Sequence, residues 1–218
     1  LASLPAVAFK RRKDSANELL SIYNPRVSSA YQEGVRALRV KVLRALADTH
    51  YKVILVTSTM PGEGKTTVAC NLAQSLSRNG SKVILIDADL RNPSVKKALG
   101  ITKVTAGLDD ALNLADPTLA PGLLLEQEPN SLWLLAGNKS LPDARQMNAK
   151  ALRRVLDMLG KKADYIIVDT PPCGLLADSV NVARAADCIL YVLAAGAAQI
   201  PQVLDSMQFL GEAGTPLL

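Results

Sequence analysis

Cysteine, histidine and aromatic residues are scarce in this sequence. Three cysteines (Cys70, Cys173, Cys188) and one histidine (His50) occur in 218 residues. With no CxxC pair there is no basis for a disulfide framework or a zinc site, and a reducing compartment is the expected setting. A lone histidine in a polar stretch also removes a Ser-His-Asp triad, and His50 is expected at the surface. Aromatic side chains make up 4%, too scattered to stack on nucleic-acid bases, so Trp133 and the others are expected in the core. No apolar run approaches the roughly 18 residues that cross a bilayer, and residues 1–9 are too short for a secretory signal. Low-complexity tracts and long-period repeats are absent as well, which excludes collagen-like, solenoid and linker-dominated chains.

What is present fits one globular α/β domain: 49% of residues are hydrophobic and 21% charged, enough apolar material for a continuous core. The formal charge of +5 is unevenly spread. Residues 1–44 carry nine basic and three acidic side chains, the remainder sixteen and seventeen. The body therefore has no global basic field, and no nucleic-acid partner is expected. Lys10-Arg11-Arg12-Lys13 follows the apolar opening directly, so residues 1–27 read as a basic, juxtamembrane-like segment ahead of a domain over 28–218. A merely solvated charge run accounts for these four residues equally well.

Apolar spacing predicts an amphipathic helix over 28–47, with Ser29 and Gln32 as a capping box. The all-apolar, β-branched stretch 52–58 predicts a strand buried on both faces. A helix over 65–78, ended at Asn79-Gly80, and a strand over 82–87 complete one βαβ unit. Further on, the pattern predicts a short helix at 108–114, a loop holding Pro117 and Pro121, and a strand at 132–135. A helix over 149–159, a strand over 165–169, a helix over 178–185, a strand over 188–193 and a helix over 201–212 follow. This alternation predicts a doubly wound, mostly parallel sheet of the P-loop NTPase kind. An apolar strand begins in the last residues, so the sequence is expected to continue past Leu218.

Three motifs carry chemistry. Thr59-Met60-Pro61-Gly62-Glu63-Gly64-Lys65-Thr66-Thr67 lies between a strand and a helix, as a phosphate-binding loop does. Its glycines let backbone N–H groups face an anion, Lys65 reaches the β- and γ-phosphates, and the Thr66 hydroxyl ligates magnesium. The consensus opens on glycine, whereas here that place is Thr59. The second motif, Asp87-Ala88-Asp89, stands at the C-terminal end of a strand, where doubly wound sheets hold ligands. Paired carboxylates there suit hydrated magnesium and acceptance of a proton from an incoming hydroxyl. The third, Tyr165-Ile166-Ile167-Val168-Asp169, has the Walker B form, with Asp169 on the magnesium water shell. These acidic groups are expected to converge on the Lys65 ammonium. Cys173 reads as a small buried packing residue.

Taken in order, PGEGKTT, ILIDADLRNP and IIVDTPP resemble the cytoplasmic catalytic domain of the bacterial tyrosine kinases that control capsule and exopolysaccharide export. The resemblance implies an ATP- and magnesium-dependent autokinase acting beneath the inner membrane. Lys65, Asp87, Asp89 and Asp169 would be catalytic, residues 61–67 would hold the nucleotide, and Thr66, Asp87 and Asp169 would hold the metal. It also implies a transmembrane chain-length-determinant activator, fused or separate, and a tyrosine-containing protein substrate. Ring assembly would run through Glu33, Arg36 and Arg39, which match the family's ExxRxxR helix. Partitioning and Min-type ATPases share the sheet and loop but carry an additional lysine at the place of Met60. A nucleotide-dependent assembly switch with little kinase activity stays open as the alternative. The family's tyrosine-rich tail has no counterpart here: Tyr23, Tyr31, Tyr51, Tyr165 and Tyr191 are dispersed.

Overall fold

The computed structural model describes residues 2–5, 21–25, 27–114, 124–127, 131–137, 149–175 and 178–218. The basic run Lys10 to Lys13 and the loop prolines Pro117 and Pro121 lie outside them. Helix α1 (Ser29–Leu46) buries Tyr31, Val35, Leu38, Val42 and Leu46 along one stripe. Its cap is Ser28, not the expected Ser29 box. Ser28 has the extended backbone that a capping residue needs, and its hydroxyl accepts the Tyr31 N–H. Gln32 instead donates its amide to the Val27 carbonyl. Just ahead of α1, Ile22 and Val27 are buried with Tyr31 and Val35, and the Ile22 N–H donates to Asn71 Oδ1 at 2.8 Å.

Strands β1 (Val53–Ser58) and β2 (Val83–Asp87) are buried along their whole length, on either side in sequence of helix α2 (Lys65–Arg78). Two short helices, α3 (Val95–Ala98) and α4 (Leu108–Asn113), precede β3 (Leu125–Gln127) and β4 (Leu132–Leu135). Then come α5 (Ala149–Leu159), β5 (Tyr165–Asp169), a 3-10 turn (Cys173–Leu175), α6 (Asp178–Ala183), β6 (Cys188–Val192) and α7 (Ile200–Gly211). The sheet order is β3-β4-β2-β5-β1-β6. All pairs are parallel except β3 with β4. The sequence pattern gave no warning of β3, whose three residues are too few to show alternation. The apolar ending does run beside β6: the Ile189 N–H donates to Pro216 O and the Leu218 N–H to Ile189 O, a parallel bridge.

Apolar side chains fill both faces of the sheet. One layer joins Ile84, Ile86, Ile166 and Val168 to α4, α5 and α6; the other joins Ile54, Val56, Leu85 and Ile167 to α1 and α2. This is the doubly wound arrangement, and its strand order decides where chemistry sits. Because β5 lies between β2 and β1, the C-terminal ends of these three strands are neighbours. No described helix is long and apolar enough to cross a membrane.

Candidate functional site

The loop from β1 to α2 turns on Gly62 and Gly64, at φ +84° and +90°, where a side chain would be strained. Gly64 occupies the cap position of α2 and provides no side-chain cap. The first turn of a fourteen-residue helix is thereby left open to an anion, with the positive end of the helix dipole behind it. Pro61 and Gly62 are exposed at the tip of the loop, and Thr66 and Thr67 are half-buried at the start of the helix.

Strand register sets the acidic groups against this loop. Asp87 pairs with Asp169 across β2 and β5, and Val56 of β1 pairs with Asp169 on its other side. Both carboxylates therefore stand on the edge that carries the loop. Lys65 Nζ lies 3.3 Å from Asp89 Oδ2 and 3.9 Å from Asp169 Oδ1. The Thr66 hydroxyl donates to Asp169 Oδ2 at 2.7 Å. Asp169 Oδ1 is buried and has no hydrogen-bond partner.

Of the three carboxylates expected at the ammonium, Asp89 and Asp169 are there and Asp87 is turned to another task. Its two oxygens accept the backbone N–H groups of Asp89 (3.3 Å) and Val95 (2.9 Å), pinning the chain that follows β2. Asp89 Oδ1 adds a bond from the Asn92 N–H at 3.1 Å. Among the described residues no group of three or more His, Cys, Asp or Glu side chains could hold a metal ion unaided.

Burial raises the proton affinity of both strand-end carboxyls. Asp87 is pushed up to about 7, first by desolvation and then by repulsion from Asp169. Asp169 is pushed up to about 6 by desolvation, against the opposing pull of Lys65 and the Thr66 hydroxyl. Both keep a negative charge at neutral pH only at a cost, which a cation placed between them and a polyanion would relieve.

Three features were not legible in the sequence. Ser94 Oγ lies 3.2 Å from Thr66 Oγ1, a contact made only because the turn after β2 folds back over the loop. Glu63, expected among the nucleotide-holding residues, is 5% exposed, and its carboxylate points into the protein, accepting from the Met60 N–H at 2.6 Å and the Ala194 N–H at 3.2 Å. Beside the loop opens a cleft of about 680 Å³, bounded by Gly62, Gly64 and Thr67 on one side and Leu4, Tyr191 and Ala194 on the other. That volume suits a small organic ligand.

The ExxRxxR residues divide. Glu33 and Arg36 form an ion pair on the exposed face of α1. Arg39, expected on the same side, reaches instead to α2, where Nη1 donates to the Ser75 carbonyl at 3.3 Å. His50 is exposed, Cys173 is buried and Trp133 packs half-buried against the core. Tyr51, expected inside, is 37% exposed because it precedes β1 at the end of the sheet.

Residues 51–208 match the AAA domain family. The tyrosine-protein kinase CpsD of Streptococcus pneumoniae serotype 4 is 34% identical over 176 residues, 78% of this chain and 74% of that protein. The tyrosine-protein kinase YwqD of Bacillus subtilis is 29% identical over 212 residues, 97% of this chain and 89% of its own. Among solved structures, the kinase domain of the Escherichia coli tyrosine kinase ETK superposes with a TM-score of 0.81 at 27% identity, covering 91% of this chain and 76% of that one.

Proposed function

This chain belongs to the bacterial tyrosine-protein kinases built on an AAA-type P-loop domain, and on that premise we propose that it is an ATP-dependent tyrosine autokinase regulating capsule or exopolysaccharide synthesis and export. The observation that carries the reading is the Lys65 ammonium, held between Asp89 and Asp169 at the mouth of an open helix N-terminus. Such an arrangement positions and neutralises a triphosphate, and phosphoryl transfer asks for little more than that.

In this reading Lys65 exchanges its carboxylate partners for the β- and γ-phosphates. The backbone of Pro61, Gly62, Glu63 and Gly64 and the first residues of α2, Thr66 and Thr67, cradle them. The cleft beside the loop takes the nucleoside. The donor set also fits magnesium, an ion that binds to one or two carboxylates and a hydroxyl and completes its shell with water and phosphate oxygens. Asp169 Oδ1, buried without a hydrogen bond and 3.9 Å from the Lys65 ammonium, beside the Thr66 hydroxyl, is such a place. Thr66 and Asp169 would hold the ion, with Asp87 in the outer shell; once bound it neutralises charge on the transferring phosphate. Asp89 keeps Lys65 aimed, and Asp87, in the outer shell, is the candidate to accept the tyrosine proton.

The acceptor is a tyrosine on a neighbouring copy, brought there by ring assembly through the exposed Glu33 and Arg36 of α1. The kinase works on the cytoplasmic face of the inner membrane, where a chain-length-determinant membrane domain activates it and the basic segment 10–13 meets anionic lipid. Incubating the full-length protein with labelled ATP and magnesium tests the assignment. Label recovered on tyrosine is expected; release of inorganic phosphate alone would make it an ATPase switch.

A further inference from the structure

The turn that leads into the phosphate loop is fastened from behind by Glu63 of the loop itself and by groups around Cys173 and β6 that no motif contains. Thr59 stands where the loop consensus has glycine, and it is 1% exposed. Its hydroxyl meets the Tyr191 hydroxyl, on β6, at 2.8 Å. Its carbonyl accepts the Gly174 N–H at 3.2 Å, and a Cβ at position 174 would fall 2.6 Å from that same oxygen. The Cys173 thiol donates to the neighbouring Ser58 carbonyl at 3.2 Å. One residue on, the Met60 N–H is taken by Glu63 Oε2, whose other oxygen accepts from Ala194 N–H beyond the end of β6.

We propose that Tyr191 and Glu63 are positioning residues for nucleotide binding: together they clasp the phosphate loop to the C-terminal end of β6, so that its N–H groups are aimed before the phosphates arrive. The proposal rests on the phosphate-binding reading of residues 59–67. A backbone array binds an anion well only when its donors already point at one place, because ordering a loose loop consumes binding free energy. In loops that open on glycine the bare backbone makes this turn. Here a threonine makes it, and its hydroxyl needs a buried partner, which Tyr191 provides. Glu63 accepts two N–H groups at once. A glutamine in its place has one acceptor oxygen and sets its NH₂ against the second donor.

Steady-state kinetics on the full-length protein, with phosphotyrosine formation as the readout, tests the clasp through Tyr191→Phe, Thr59→Val, their combination and Glu63→Gln. Loss of one hydrogen bond corresponds to about fivefold, so each single variant is expected to raise the KM for ATP about three- to tenfold while kcat stays within about twofold. The double variant should be no worse than the poorer single, since both delete the same Thr59–Tyr191 bond and Tyr191→Phe alone also loses the Cys173 thiol contact at 3.6 Å. Thr59→Ser, which keeps the hydroxyl, should retain the wild-type KM. An unchanged KM, with kcat falling only as far as the folded fraction falls, would show a merely structural role and overturn the proposal; so would additive KM effects. If Tyr191→Phe does not fold, Thr59→Val reads the same bond from its other end and its KM decides. Lys65→Met separates the two layers: normal ATP binding there defeats the phosphate-site reading itself, whereas its loss beside clasp variants of unchanged KM defeats the clasp alone.

Discussion

Asp169 answers two opposed demands. One of its oxygens is tied to the Thr66 hydroxyl while the other is buried without a hydrogen bond, so the residue is placed for a ligand at the expense of the fold. Asp169→Asn should therefore abolish magnesium-dependent transfer, by at least about a hundredfold, yet raise the melting temperature of the nucleotide-free protein. Thermal melts alongside phosphotyrosine assays check both halves. The pH dependence follows from the same burial. Asp87 and Asp169 are raised to about 7 and about 6 in the folded state, so between about pH 4 and 7 the native protein binds more protons than the unfolded chain and stability falls as pH rises. The nucleotide-free protein should melt several degrees higher at pH 5.5 than at 7.5, and Asp87→Asn should flatten that slope. Lys65 and the strand-end aspartates Asp87 and Asp169 were visible in the sequence as local signals, a glycine-rich strand-to-helix junction and apolar runs ending in aspartate, but that Asp87 turns onto the Asp89 and Val95 N–H groups instead of the ammonium was not. Ser94 and Tyr191 were not, since each touches the loop across 28 and 132 residues of chain.

At the scale of elements, α1 shows how one spacing serves two purposes. Its apolar stripe at Val35, Leu38, Val42 and Leu46 was readable from periodicity alone and is buried as the pattern requires. The charged series on the same helix reads as one side, but its members part company: Arg36 stays in solvent with Glu33, and Arg39 folds onto α2. The long arginine side chain allows either choice, and only the packed neighbour decides it. Replacing Glu33 and Arg36 by alanine should leave the melting temperature nearly unchanged, since an exposed intrahelical pair contributes about 0.2–0.5 kcal/mol, while abolishing the proposed ring assembly in sedimentation velocity. Arg39→Ala should lower the melting temperature and leave a folded monomer less stable. An identical response of all three residues would contradict the division. The cap slipped by one residue, from Ser29 to Ser28, because serine at either place can cap and backbone conformation chooses between them.

For the whole molecule, the alternation of strands and helices was enough to predict a doubly wound sheet, but not its order. Placing β5 between β2 and β1 brings Asp87 into register with Asp169 and both beneath the phosphate loop. That arrangement is a long-range property, set by packing two apolar faces at once rather than by any local run of residues. The antiparallel β3 shows the reverse limit, a short edge strand that pairing with β4 creates and sequence pattern does not announce. The central claim is that the Lys65 ammonium, poised between Asp89 and Asp169, is where the phosphoryl group is transferred. Measuring tyrosine phosphorylation by the full-length Lys65→Met protein, next to its thermal melt, tests that most directly. The expected result is loss of phosphotyrosine from a protein that still unfolds cooperatively, its melting point shifted by the two buried carboxylates left without their cation; phosphotyrosine formed at the wild-type rate would contradict it.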